Sequence, residues 1–213
     1  MSKQRNRKIL YSVLIVLLNA VLLIGFDVIR LYLRSDERII GEQGKEDIQS
    51  YFAEIDEILL SHGIDMSTGT IEERYRGNSD NYQMTLDMNV DDNLRLVIDV
   101  YQASKTPRYM VIIQRTGEVN NADEFMDLSD YPYVYEVAAY LGDFYSSERL
   151  LKSAEKQQKS AIKQWEKDGE SINEGKYYRR FSVQMEWVKF SYYKGKNDYP
   201  SKQSVSIMDY IRA

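Results

Sequence analysis

The 213-residue chain has no cysteine and a single histidine. The missing thiols remove disulfide frameworks, thiolate zinc sites, thiol nucleophiles and lipid attachment through an N-terminal cysteine. They leave the compartment open, because a domain of this size can fold outside the cytoplasm without disulfides. With one imidazole and no thiolate, a transition-metal centre would have only carboxylates to draw on, so no metal or other cofactor is expected. Phosphate cradles are missing as well: neither G-x-x-x-x-G-K-[ST] nor G-x-G-x-x-G occurs. No N-x-[ST] sequon is present, which suits a bacterial chain.

Positive charge is scarce where most of the chain lies. Of 28 basic and 33 acidic residues, 7 and 3 precede Gly41, leaving 21 against 30, or about −9, for the remainder. Such a surface repels a phosphate backbone, which excludes nucleic-acid binding as a general role, and on average it repels an anionic membrane surface too.

The long apolar run is at the start. From Ile9 to Phe26 there are 18 residues without a charge, about 27 Å as a helix and close to the thickness of a bilayer's hydrocarbon core. No small-residue cleavage pattern follows, so the segment 9–29 reads as an uncleaved transmembrane signal anchor behind a basic tail, 1–8. Lys3, Arg5, Arg7 and Lys8 in front are matched in number by Arg30, Arg34, Arg38 and Lys45 behind. The front four are packed together, whereas those behind are interleaved with acids and open a long domain, where the positive-inside rule weakens. The expected topology is N-terminus inside and C-terminal domain outside. Asn19, near mid-membrane, could bond across a helix pair with Ser12 and Phe26 on its face and so make a homodimer seam. The preferred reading is that a span this rich in Leu, Ile and Val tolerates one amide. Asp27 falls at the membrane's edge, within reach of Arg30 at i+3.

Beyond the span, 30–44 reads as a helical stalk broken by Gly41 and Gly44, and 45–213 as one α+β domain. Ile48, Phe52, Ile55 and Leu59 recur at helical spacing, with Tyr51 and Ile58 beside them and Gly63 as the stop. The period then drops to two. Tyr82, Met84, Leu86, Met88 and Val90 share one face of a strand, Leu94, Leu96, Ile98 and Val100 that of the next, and a third is entered through Pro107. "TIEERYRG" is a weaker fourth candidate, so a three- to four-strand antiparallel meander is expected against the preceding helix. Helical periodicity returns from Tyr133 to Tyr145, where Tyr133 and Tyr140 read as core. A thinly striped helix follows, carrying Leu151, Ala154, Ala161, Ile162 and Trp165, its stripe broken by Gln158. The segment 176–193 then reads as one long strand with Phe181, Val183, Met185 and Trp187 on one face, and "KQSVSIMDYI" as its partner in a C-terminal hairpin.

Few residues point to chemistry. His62 in "LLSHGID" reads as a helix-end residue near the negative end of the macrodipole, not as a catalytic base, since Ser61 and Asp65 are only sequence neighbours. "DMNVDDN" imitates a calcium loop, but Asp92 stands where glycine is required and Ile98 where the bidentate glutamate belongs. A carboxylate pair among Glu72, Glu73, Asp87, Asp99, Glu136 and Glu186 could act on a glycan only if the fold brought two of them to a set separation. Tyrosine is the compositional oddity, 18 in all and clustered toward the C-terminus. It supplies contact area with a polar handle. Tyr193 and Tyr199, in the loop of the hairpin, and Trp165 on the thin helix are therefore the expected partner-binding residues, with Asn19 as the membrane candidate.

The function that follows is that of a single-pass, membrane-anchored, extracytoplasmic binding or accessory protein: a sensor, assembly or scaffold subunit of a bacterial envelope complex with a protein partner. The alternatives are a carboxylate-dependent envelope enzyme and a cytoplasm-facing tethered interaction domain. If the anchor holds, alkaline carbonate leaves the full chain in the membrane pellet, whereas a variant lacking residues 9–29 appears in the supernatant.

Overall fold

A computed structural model describes residues 41–75, 82–103, 106–142, 145–179, 185–196 and 199–210. The expected anchor, its basic tail and Asn19 lie outside the described residues. Among the described residues no helix is long and apolar enough to cross a membrane. They belong to one compact unit, Ile39–Ala213, with three α-helices, α1 (Gly41–Ser61), α2 (Pro132–Gly142) and α3 (Ser147–Asp168). Seven strands accompany them: β1 (Thr70–Tyr75), β2 (Tyr82–Asp91), β3 (Leu94–Ala103), β4 (Thr106–Thr116), β5 (Ile172–Arg179), β6 (Met185–Tyr193) and β7 (Lys202–Tyr210).

The period-two segments form a single antiparallel sheet in the order β1-β2-β3-β4-β7-β6-β5. Meander and hairpin are thus not separate sheets: β7 leaves the hairpin's far side to pair with β4 from Arg108↔Tyr210 to Thr116↔Lys202. Alternation decides which face is covered. Leu86, Leu96, Ile98, Val111, Ile113, Val188, Phe190, Val205 and Ile207 are all at 0% exposure and make one apolar face. The other carries Thr85, Val97, Met110, Ile112, Ser204, Ser206 and Met208, half-buried at most.

The three helices cover the apolar face as one layer, α1 over β2 and β3, α2 over β4 and β7, and α3 over β5 and β6. α1 begins where Lys45 lies 5.8 Å from the ring centre of Tyr82, at the start of β2. It stops at Gly63 (φ 75°), where Ile64 N–H donates to Leu59 O (3.0 Å) and Gly63 N–H to Leu60 O (2.9 Å). α2 runs back and ends with Gly142 against the Tyr109 hydroxyl, where a Cβ would collide. α3 starts at that same end from the Ser146 cap and finishes at the left-handed Gly169.

Several expectations are corrected. Gly44 does not break the chain: it is buried inside α1, which runs from Gly41, so tertiary packing outweighs its propensity cost of about 1 kcal/mol. The presumed single strand over 176–193 is the hairpin β5–β6, paired from Ile172↔Tyr192 to Arg179↔Met185; Phe181 and Val183 lie outside the described residues. Tyr140 is not core but 39% exposed. Gln158 does not interrupt the buried stripe of α3; it is part of it, donating to Met126 O at 2.7 Å. The anticipated fourth strand, the third strand through Pro107, the Gly63 stop and the α+β class stand as expected.

The two halves of the sheet meet in one core, so a cavity at the seam should weaken both. Ile207→Ala is expected to lower unfolding free energy by about 2–5 kcal/mol, with urea melts by tryptophan fluorescence and far-UV circular dichroism still coinciding. Two separated transitions would contradict a shared core.

Candidate functional site: the aromatic end of the sheet

α1, β1, β3, β5 and β7 have residues Ser61, Thr70, Leu94, Ile172 and Lys202 at one end of the sheet, opposite the end where the chain enters at Gly41. The connection from β6 to β7 lies at that far end. The tyrosines expected to bind a partner are both here, Tyr193 as the last residue of β6, 45% exposed, and Tyr199 within the connection, 73% exposed.

The connection is fixed from three directions. Lys194 N–H donates to Ser171 Oγ (2.8 Å) and its ammonium to Gly169 O (3.1 Å), at the carbonyl-rich end of α3 where a cation is favoured. Ser201, 5% exposed, accepts from Gly195 N–H through its hydroxyl (3.0 Å). Its carbonyl accepts from Gly117 N–H (3.0 Å), just past the end of β4. Tyr199 N–H closes a turn onto Lys196 O at 3.2 Å. The turn is so tight that a Cβ on Gly195 would run into the Tyr199 carbonyl and the Ser201 amide.

Trp165 has a different part. It is half-buried, and its ring meets Phe125 edge-on at 5.3 Å and Tyr192 at 6.4 Å between centres. Phe125 also meets Phe190 at 6.0 Å. These rings are held by two buried amides. Gln203, 2% exposed, accepts from Met126 N–H (2.7 Å) and donates to Glu124 O (3.2 Å), while Gln158 reaches Met126 O from α3. The crossing segment 117–131 is thereby fastened to both the sheet and the helix layer. Trp165 and the tyrosines therefore share one end of the molecule, with the tryptophan as support and the tyrosines as exposed tips. Asn19 lies outside the described residues.

Nothing in the sequence foretold Ser201, Lys194, Gln158 or Gln203, whose partners are all distant or in neighbouring loops. The usable signal was weak: a glutamine in an apolar stripe must find a buried partner.

The candidate carboxylates are engaged separately. Asp87 is paired with Arg95, whose hydrogen bonds hold its carboxyl below the usual carboxylate range. Asp91 instead caps its own turn, accepting from Asn93 N–H at 2.7 Å, so the calcium-like letters are spent on a strand pair and a turn. Glu136 meets His62 Nε2 at 2.8 Å, joining the end of α1 to α2. Glu72 is paired with Arg74. Glu73 sits 3.5 Å from Lys45, and the Tyr82 hydroxyl, then Lys45, lower its pKa. Asp99, 7% exposed on the uncovered sheet face, accepts from Gln83 (2.6 Å) and Thr85 (2.9 Å). Nothing is described of the Glu186 side chain. Burial raises the phenol pKa of Tyr133 and Tyr135 far above neutrality, so both stay protonated.

No protein-family model, curated protein or solved structure matches the chain.

Gly195→Ala tests whether the connection is rigid by construction. The added methyl is expected to displace the Tyr199 turn and to raise amide hydrogen exchange at Gly195 and Tyr199, while exchange in the β4–β7 ladder stays unchanged.

Proposed function

We propose that the chain is a membrane-tethered binding subunit of a bacterial envelope complex, N-terminus inside and domain outside, with the Tyr193–Tyr199 end as its partner surface. One observation carries this. A connection hydrogen-bonded to the α3–β5 turn, to the end of β4 and to itself nevertheless leaves Tyr199 73% exposed. Solvating a large phenol does nothing for folding, whereas an aromatic beside hydrogen-bonded backbone is less costly to dock because less entropy is left to lose.

Position supports the same reading. The chain enters the described fold at Gly41, and the tyrosines stand at the opposite end of strands of 9 to 11 residues, about 30 Å away. A tether at one end and an aromatic tip at the other suit a subunit that presents a surface away from its attachment. The separate engagement of the carboxylates favours binding over glycan hydrolysis, which needs two of them facing one bond.

The absence of cysteine makes the test direct. A single Tyr199→Cys chain should react with a membrane-impermeant maleimide on intact cells; labelling only after permeabilisation would reverse the topology. For the surface itself, photocrosslinking from position 199 should capture one partner that Tyr193→Ala together with Tyr199→Ala releases, the pair of substitutions weakening it by about tenfold or more. Unchanged capture after both substitutions would remove this end as the contact.

A further inference from the structure

The three helices form one layer, and charge is divided unevenly across it. α1 carries six carboxylates, Glu42, Glu46, Asp47, Glu54, Asp56 and Glu57, against one lysine. α2, in the middle, carries only Glu136, which is already bonded to His62. α3 has Arg149 and five lysines against four carboxylates. The layer therefore runs from about −5 on one flank to about +2 on the other, in a domain that is acidic overall.

The lysines are also in line. Lys152, Lys156, Lys159, Lys163 and Lys167 are all exposed and fall within an arc of about 80°, in a row about 22 Å long, on the side of α3 away from Leu150, Ala154 and Ala161. Lys152 is paired with Glu148 at 2.6 Å; the other four take part in no ion pair among the described residues. On α1, Glu46, Glu54 and Glu57 are exposed on the side away from Ile48, Phe52, Ile55 and Leu59. Glu148, Glu155 and Glu166 lie along one edge of this row, so α3 mixes signs locally, yet it keeps a net positive charge while α1 is strongly negative, and the two flank the layer with α2 between them.

We infer that the helix layer is the interface of a homodimer in which α3 of each copy lies against α1 of the other. Two layers stacked about a two-fold axis parallel to the helices place α2 on α2 and α3 on the partner's α1. An axis across the helices would instead set α1 on α1 and α3 on α3, like charge on like. The favourable axis keeps both copies pointing the same way. Counted back from the helix ends at Ser61 and Asp168, which lie at the same end of the sheet, Glu46, Glu54 and Glu57 are 15, 7 and 4 residues in, and Lys152, Lys159 and Lys163 are 16, 9 and 5. Opposite charges thus occupy matching turns when the helices run parallel. Tyr140, 39% exposed on the middle helix, supplies apolar area near the axis. The parallel arrangement also brings both Gly41 ends to one end of the pair, as two chains held in one bilayer require; in this respect the inference rests on the tether proposed above.

Charge exchange between faces tests this in the full chain, in neutral detergent at low salt. One variant carries Lys156→Glu, Lys159→Glu and Lys163→Glu; the other carries Glu46→Lys, Glu54→Lys and Glu57→Lys. All six residues are exposed, and circular dichroism checks that each variant is folded. The natural chain is expected to sediment as a dimer that high salt weakens. Each variant alone should self-associate at least about tenfold more weakly, and mixing the two should give a heterodimer, because both contacts are then complementary. A natural chain that is monomeric, variants that still pair with themselves, or folded variants that fail to pair when mixed would each overturn the inference. If self-pairing persists but Asn19→Leu abolishes it, the contact lies in the anchor. If the lysine variant pairs normally yet loses binding to phosphatidylglycerol vesicles, the row docks on anionic lipid, and the inference again fails. Should the tether reading fail, the chain will leave the membrane with carbonate, but the mixing result can still be read in buffer.

Discussion

Everything in this fold depends on the ladder between β4 and β7. Four strands close in sequence make one half of the sheet and three more make the other, and either half alone would present an edge of unpaired backbone. The pairing from Arg108↔Tyr210 to Thr116↔Lys202 removes both edges at once. It also merges two apolar faces into a single surface broad enough for three helices. Val111 against Ile207 and Ile113 against Val205, all at 0% exposure, lie directly on that seam and under α2. Without the ladder α2 would have half a floor, and the helix layer could not be continuous.

The crossing segment between β4 and α2 has little regular structure, and amides hold it. Gln203 from the sheet and Gln158 from α3 both bind the backbone around Met126, while Phe125 packs among Trp165, Phe190 and Tyr192. Buried amides of this kind stabilise modestly when bonded and destabilise strongly when not, so they fix the path of a segment more than they add to its stability. The same end of the sheet carries the pinned connection with Tyr193 and Tyr199. The aromatic tip is thus supported by a framework that is itself locked to both layers.

Local pattern made much of this legible. The meander could be read because each strand alternates cleanly and because Asp91, Asp92 and Asn93 mark a turn. Gly63 announced the end of α1 by its conformational freedom. The hairpin β5–β6 was hidden because the stretch from Arg180 to Gln184 has no Gly, Pro, Asn or Asp and only Ser182 as a weak turn signal, so two strands looked like one. Gln158 looked like a break in a stripe because periodicity counts apolar letters and cannot see that an amide buries well once a carbonyl meets it. In the sequence alone the row of lysines on α3 looks like any solvated helix face. Its meaning lies in the contrast with α1, and only the fold shows that the two helices flank the same layer. The hydrogen bonds that pin Tyr199 were invisible because their partners, Ser171, Gly169 and Gly117, come from three separate parts of the chain.

The place of β7 has a consequence for the order of events when the chain folds. Among the described strands it is the last to be synthesised, yet it lies inside the sheet, between β4 and β6. Until it arrives, β4 and β6 each offer an edge of unpaired backbone, and the loop closed by the final pairing, from Thr116 to Lys202, spans about 90 residues, which slows folding. A chain not yet fully folded therefore passes through a stage in which two incomplete sheets are exposed to other chains. An attendant that binds unpaired strand edges would act in this interval.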